Sequence, residues 1–146
     1  MKEVSNYQIA IPLILLCSFC KPIEKFPLYF EEERNPYYYD YSSHKLSQGL
    51  LLGSLPLKVK FNKIRASKSQ VEICGVLYIE DFVTVSGVCI YGTSFPLSNK
   101  VLLNPISVSD SSGFFCFKID PNLSDIIVFS YPGTESKVLK IVLLSQ

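Results

Sequence analysis

The chain has 146 residues, of which 48% are apolar, and its 14 basic and 13 acidic side chains leave a formal net charge of +1. This length suits one domain, and the near-neutral balance argues against nucleic-acid binding, which usually requires a strongly basic face. His44 is the single histidine and tryptophan is absent, so a histidine-rich metal centre and any mechanism with two imidazoles are excluded. The composition therefore disfavours a hydrolase, a zinc enzyme and a DNA-binding protein, and it indicates no cofactor.

Residues 1–20 have the features of an export signal. Ile9–Cys20 contains 12 residues without a charge, which is shorter than the roughly 20 residues of a membrane-spanning helix and close to the apolar core of a signal peptide. Cys17 and Cys20 close this run and are candidates for lipidation, although neither follows the small residue that a lipoprotein signal usually places there. A lipoprotein signal, a plain secretory signal and a buried N-terminal strand or helix stay open, and we expect export.

Residues 21–70 are predicted to form a polar tether. They carry nine basic and five acidic side chains, a balance of +4, and they show no sustained period of 2 or 3.6. Apolar and polar residues alternate only over 55–61, which predicts one short strand there. His44 lies in a polar stretch and is expected to be a solvated loop residue rather than a catalyst.

A cluster of tyrosines in this segment, Tyr37, Tyr38, Tyr39 and Tyr41, allows two interpretations. Aromatic rings beside prolines can form a stacking surface for a sugar or a peptide. They can equally belong to a strand or an irregular segment whose rings lie on the domain surface, and we favour this second interpretation.

Residues 71–146 carry four basic and seven acidic side chains, a balance of −3, and they contain closely spaced apolar runs separated by turn signals. Runs of five to eight residues with turns this frequent predict an antiparallel β-sandwich or barrel. The continuous apolar run Ile126–Phe129 is typical of a strand buried on both faces. The predicted fold class is therefore all-β.

The segment Asp110–Gly113 has two possible roles. A calcium loop needs several more oxygen donors at regular spacing, and few are near. A hairpin turn needs only what the segment has, because Asp110 can accept bonds from local backbone N–H groups and Gly113 can adopt a positive φ. We predict the turn.

Four pieces of the second half, taken together and in order, resemble the carboxypeptidase regulatory-like domain family. The pieces are Val71–Val76 around a glycine, Gly87–Thr93 with its Gly-Thr pair, Ser109–Phe115 with the pattern S-D-x-x-G-x-F, and Ile126–Gly133 with its F-S-Y-x-G ending. The family has a transthyretin-like fold, so the resemblance implies a Greek-key antiparallel β-sandwich of about seven strands over residues 71–146. Between the second and third pieces, Ser94–Ile106 is longer than in the family, which predicts an inserted loop or an additional strand.

The strand alignment that follows from this resemblance also assigns side chains to faces. Phe115, Phe117 and Ile119 are expected to point into the core, whereas Cys116 and, on other strands, Cys74 and Cys89 are expected to point outward. A cross-strand disulfide is conceivable on that outer face, but we expect three unpaired thiols that act as small hydrophobes.

The resemblance implies a function as well. Domains of this family are common in bacterial envelope proteins and at the N-termini of TonB-dependent outer-membrane receptors. The expectation is therefore a non-catalytic docking or accessory module in the periplasm or at the outer membrane, anchored by its N-terminus, with a protein partner such as a receptor or transporter. The alternative is a carbohydrate- or peptide-binding module that uses the tyrosine cluster.

Overall fold

The computed structural model describes residues 28–67 and 69–144, so the predicted leader, including Cys17 and Cys20, lies outside the described residues. The described chain is all-β, as the sequence predicts, and no helix in it is long and apolar enough to cross a membrane. Its thirteen strands are β1 (Leu28–Glu32), β2 (Tyr37–Asp40), β3 (Lys45–Gln48), β4 (Leu55–Ala66), β5 (Val71–Ile79), β6 (Val83–Thr84), β7 (Cys89–Thr93), β8 (Lys100–Val101), β9 (Ser107–Val108), β10 (Phe114–Ile119), β11 (Ile126–Ser130), β12 (Thr134–Glu135) and β13 (Lys137–Leu143).

The strands form three sheets. A central sheet has the order β1-β13-β11-β7-β9, an outer sheet has the order β10-β5-β4-β12 with β6 also on β5, and a small sheet has the order β2-β3-β8. The pairings are antiparallel, apart from β12, which runs parallel to the start of β4. Buried residues of the central and outer sheets share one core, which is the arrangement of a β-sandwich. The Greek-key connectivity stays a prediction.

Strand β11 lies in the middle of the molecule. All five of its residues are buried, because Ile127 and Phe129 belong to the main core between the central and outer sheets, while Ile126 and Val128 belong to a second core. The sequence prediction of a strand covered on both faces is therefore correct. Strand β11 is covered on both faces because the outer sheet packs on one face of the central sheet and the small sheet packs on the other.

The second core changes the role of the middle segment. The hairpin β2–β3, residues 37–48, buries Tyr37, Tyr39 and Leu46 in this core. In addition, β1 pairs along β13 and β4 pairs along β5. Residues 28–66 therefore supply four strands, whereas the sequence predicts a polar tether over 21–70. The strand predicted at 55–61 is present and continues to Ala66. The difference arises because these strands are specified by partners far along the chain rather than by a local period.

The segment Ser94–Ile106 completes the same layer. It contributes β8, which pairs with β3, and it buries Leu97 and Leu102 in the second core. The predicted alternative of an additional strand is therefore the correct one. The segment Ser94–Ile106 and the aromatic hairpin β2–β3, which are distant in sequence, therefore pack together on the central sheet.

Candidate docking surfaces

The Asp110–Gly113 segment forms the turn between β9 and β10. One carboxylate oxygen of Asp110 accepts bonds from the backbone N–H groups of Ser112 at 2.9 Å and Phe114 at 3.0 Å. Gly113 has φ of +78°, the left-handed region that favours glycine. The acidic side chain is therefore held by backbone donors of the turn itself.

The four tyrosines of the predicted cluster do not share one open face. Tyr37 and Tyr39 are buried, Tyr38 is half-buried, and Tyr41 has 42% of its surface exposed. This alternation follows from the strand, whose successive side chains point to opposite sides. A stacking surface made of all four rings is therefore not available, because two of them fill the second core.

Tyr39 anchors the small sheet to the centre of the molecule. Its ring stacks on that of Tyr91, with 5.4 Å between ring centroids, and its hydroxyl donates to the carbonyl oxygen of Leu102 at 2.6 Å. The same hydroxyl oxygen lies 3.1 Å from Nδ1 of His44. His44 is exposed on a turn, as expected of a solvated loop residue, and this contact gives it a local structural partner.

Two further phenols of this region have a pKa above the ordinary value of tyrosine. Burial raises the pKa of Tyr91, with a smaller contribution from its hydrogen bond with Tyr39. Burial also raises the pKa of Tyr41, although its hydroxyl bonds the Oγ of Ser130 at 2.9 Å. These groups therefore act as packing and hydrogen-bonding elements at physiological pH rather than as bases.

Two of the three cysteines among the described residues form a disulfide. Cys74 on β5 and Cys116 on β10 occupy directly opposite positions of an antiparallel pair and are bonded to each other, while Cys89 is free. The expectation of three unpaired thiols is thus wrong for this pair, because the strand register that brings the two residues together is not visible in their spacing. A carboxylate oxygen of Glu72 and the two sulfur atoms lie within 4.8 Å of one another, which is close enough for three metal ligands. The two sulfurs are bonded to each other, however, and are not the thiolates that bind metals.

A row of cations covers the outward face of β4. Lys58 and Lys60 point outward because Leu57, Val59 and Phe61 point into the core. Simple alternation would then turn Lys63 and Arg65 inward. A β-bulge between Phe61 and Lys63 shifts the register by one residue, and this shift brings the last two cations to the same outward face. Sequence reasoning missed this row, because the alternation over 55–61 contains no signal for the bulge.

Two ion pairs lie on this face. Nζ of Lys58 lies 3.2 Å from a carboxylate oxygen of Asp81, and Nζ of Lys63 lies 3.4 Å from one of Glu72. Lys60 and Arg65 are exposed, and neither has an ion pair with another of the described residues. The row therefore has unbalanced positive charge at alternate sites along one strand.

Exposed apolar side chains form another surface feature, which we call the apolar end. Leu52 and Phe82 each have 94% of their surface exposed, and Leu50, Leu55 and Val83 are exposed as well. Leu57 pairs with Ile79, so the loop before β4 and the turn after β5 lie at the same end of the outer sheet. Exposed apolar groups gathered in this way mark interaction surfaces, and sequence reasoning did not single them out.

Comparisons with protein-family models, with curated proteins and with solved structures find no match for this chain.

Proposed function

We propose that this chain is a non-catalytic docking module of the bacterial cell envelope, exported and anchored through its N-terminal segment. The observation that carries the docking role is the apolar end. Side chains such as Leu52 and Phe82 gain little from lying in water, and burying them against a partner would be favourable. The partner in this proposal is an envelope protein, for example an outer-membrane receptor or transporter, to which the chain is an accessory subunit.

The disulfide supports the proposed compartment. Disulfides persist in the periplasm and on cell surfaces, whereas the cytosol keeps thiols reduced. Cys116 is exposed, so a cytosolic reductant would reach the pair. An oxidising compartment is the environment in which the Cys74–Cys116 bond would be maintained.

Fractionation and intact-mass measurement test the export part. We expect the chain in the membrane fraction, with a diacylglyceryl group on Cys17 or Cys20, if the segment is a lipoprotein signal. If it is a plain secretory signal, we expect the chain in the periplasmic fraction with the leader removed. A soluble cytosolic chain that begins with unmodified Met1 and has reduced cysteines would contradict export.

Co-purification from a mildly solubilised envelope tests the docking part. A variant with Leu52→Ser and Phe82→Ser is expected to lose the partner that the unmodified chain retains. Leu123→Ser is the matched control, because Leu123 is also largely exposed, at 78%, but follows β10 at the opposite end of the outer sheet. Equal loss in the control, or no loss in the double variant, would contradict docking through the apolar end.

A further inference from the structure

We infer that the outward face of the outer sheet binds the anionic phospholipid surface of an envelope membrane. This inference goes beyond the proposed docking function, because it uses neither the apolar end nor a protein partner. It rests on the envelope location and the N-terminal anchor of that proposal. Five cations on the outward face carry it: Lys58, Lys60, Lys63 and Arg65 of β4, and Lys118 of β10.

Strand register brings Lys118 to the row of cations on β4. Lys118 is exposed and points outward, because its neighbours Phe117 and Ile119 are buried in the main core. It pairs across the sheet with Glu72 of β5, and Glu72 pairs in turn with Arg65 of β4. The five cations therefore share one face of three neighbouring strands, which is about 20 Å long and 10 Å wide at the usual dimensions of a sheet.

Positive charge is in excess around Glu72. One oxygen of its carboxylate lies 3.4 Å from Nζ of Lys63, and Arg65 and Lys118 lie opposite Glu72 on the two flanking strands. Arg65 and Lys118 are exposed, and neither has an ion pair with another residue of the described ranges. One carboxylate thus faces three cations and can balance only one of them.

The other end of the row is cationic as well. Nζ of Lys58 lies 3.2 Å from a carboxylate oxygen of Asp81, but the two side chains are 42% and 76% exposed, so this ion pair is weak. Lys60 is exposed and has no ion pair within the described part of the chain. Glu135 of β12 lies beside Pro56 at this end of β4. With all three carboxylates of the region counted, the five cations leave the face a net charge of +2.

The spacing and the kind of these cations favour an extended anionic surface as the ligand. Alternate residues of a strand are about 7 Å apart, which is less than the Debye length of about 8–10 Å, so neighbouring cations attract a charged surface together. Four of the five are lysines, which are hydrated point charges on flexible stems, whereas recognition of a single carboxylate favours the bidentate geometry of arginine. A phospholipid surface spreads its negative charge over a plane and attracts basic clusters in this way.

The proposed anchor makes this weak attraction effective. A chain held at a membrane through its N-terminal segment stays near the lipid headgroups, which raises their effective concentration at the cations. A basic patch is a common second signal beside a lipid anchor. The cations would then orient the anchored domain with its outer sheet toward the membrane.

Binding of the full chain to lipid vesicles tests the inference. The probes are vesicles of phosphatidylcholine with about 30% phosphatidylglycerol and vesicles of phosphatidylcholine alone, and we expect the anionic vesicles to bind about tenfold more tightly. The apolar N-terminal segment enters both kinds of vesicle, so the preference for anionic lipid isolates the contribution of the cations. This preference is expected to disappear in about 1 M salt, where the Debye length is about 3 Å. Equal binding to the two kinds of vesicle at low salt would overturn the inference.

Charge-reversal variants locate the contact on the chain. Lys60→Glu with Arg65→Glu is expected to abolish the preference for anionic vesicles, a loss of about tenfold or more. Arg34→Glu with Lys45→Glu is the matched control, since it reverses one arginine and one lysine that are also exposed but lie outside the outer sheet. The control is expected to change the preference by about twofold or less. An equal loss in both variants would overturn the assignment to the outer sheet.

Tryptophan reporters show which surface meets the lipid, because the chain has no tryptophan of its own. Tyr78 lies opposite Lys58 and shares its outward face, so the fluorescence of Tyr78→Trp is expected to be quenched by anionic vesicles that carry a nitroxide on the headgroup. Leu123→Trp, at the opposite end of the sheet, is expected to be quenched less. Stronger quenching of Phe82→Trp than of Tyr78→Trp would assign the membrane contact to the apolar end and overturn the inference.

Co-purification separates this inference from the proposed docking function. If Lys60→Glu with Arg65→Glu loses an envelope protein but keeps the preference for anionic vesicles, the cationic face binds an acidic protein and the inference is overturned. If the unmodified chain shows no preference for anionic vesicles, while Leu52→Ser with Phe82→Ser still loses the envelope partner, the inference fails and the proposed docking function stays in place.

Discussion

Replacement of Gly113 by alanine is the perturbation whose cost the structure determines best. A Cβ atom at this position would lie 2.6 Å from the carbonyl oxygen of Leu77 and 2.9 Å from Cβ of Thr84. The residue also has φ of +78°, which is unfavourable for alanine. The turn, β5 and β6 would therefore have to separate to accommodate one methyl group.

Gly133 supplies the matched control. Its φ is +80°, nearly the same as that of Gly113, but no atom lies within 4 Å of the position of an added Cβ. Alanine at a positive φ costs about 1–2 kcal/mol, and the loss of glycine's freedom in the unfolded chain returns about 0.4–1 kcal/mol. Gly133→Ala is thus expected to reduce the free energy of unfolding by about 1 kcal/mol.

Gly113→Ala adds the steric term to this backbone cost. Displacement of the turn would weaken the 2.8 Å bond from the N–H of Leu77 to the carbonyl of Gly113, which contributes about 1 kcal/mol, and would loosen the packing beside Thr84. We expect a total loss of about 3 kcal/mol. In urea this lowers the unfolding midpoint by about 1–3 M.

Urea unfolding of both variants and of the unmodified chain, followed by circular dichroism, measures the difference. The reasoning requires Gly113→Ala to cost about 2 kcal/mol more than Gly133→Ala. Equal losses in the two variants would refute it, because the backbone cost alone would then account for both.

Three further predictions concern the disulfide and the second core. The free energy of unfolding should fall by about 4 kcal/mol in the double variant Cys74→Ala and Cys116→Ala, which is the loop-closure value for the sequence separation of 42. Reductant added to the unmodified chain should lower its stability by the same amount. A chain whose stability does not change with reductant would contradict a bonded pair. Tyr39→Phe should cost about 1–3 kcal/mol, because it leaves the buried carbonyl of Leu102 without its donor; a cost near zero would show that the bond is dispensable. The free energy of unfolding should also fall above about pH 10. Because burial raises the pKa of Tyr91 in the folded state, its contribution is fully present below that pH, and the unfolded chain loses its proton first as the pH rises; stability that increases with pH in this range would contradict it.

Much of the main core could be predicted from local patterns. In β10 the alternation of Phe115, Phe117 and Ile119 with exposed residues assigns the inward face, and the structure confirms all three as buried. The continuous apolar run of β11 likewise predicts a strand covered on both faces. These predictions succeed because the physical cause, the side-chain period of a strand, is contained within a few neighbouring residues.

The small sheet and β1 could not be predicted in the same way. Strand β1 is specified by β13, whose residue Leu143 pairs with Leu28 across nearly the whole chain. Tyr37 and Tyr39 are buried because Leu97 and Leu102 of the segment Ser94–Ile106, together with residues of the central sheet, enclose them. In a polar, proline-containing stretch where apolar and polar residues alternate only briefly, no local pattern distinguishes strands such as β1 and β2 from a tether.

Both candidate surfaces depend on the same kind of long-range information. The sequence by itself determined that the chain is all-β, where the strands of its second half lie, and which of their side chains face inward, because these properties follow from short-range periodicity and turn chemistry. The tertiary structure alone decided that Cys74 meets Cys116, that a bulge aligns Lys63 and Arg65 with the other cations of β4, and that two segments with exposed apolar side chains lie at the same end of the outer sheet. Each of these depends on register and strand order, which are fixed by packing between segments distant in the sequence.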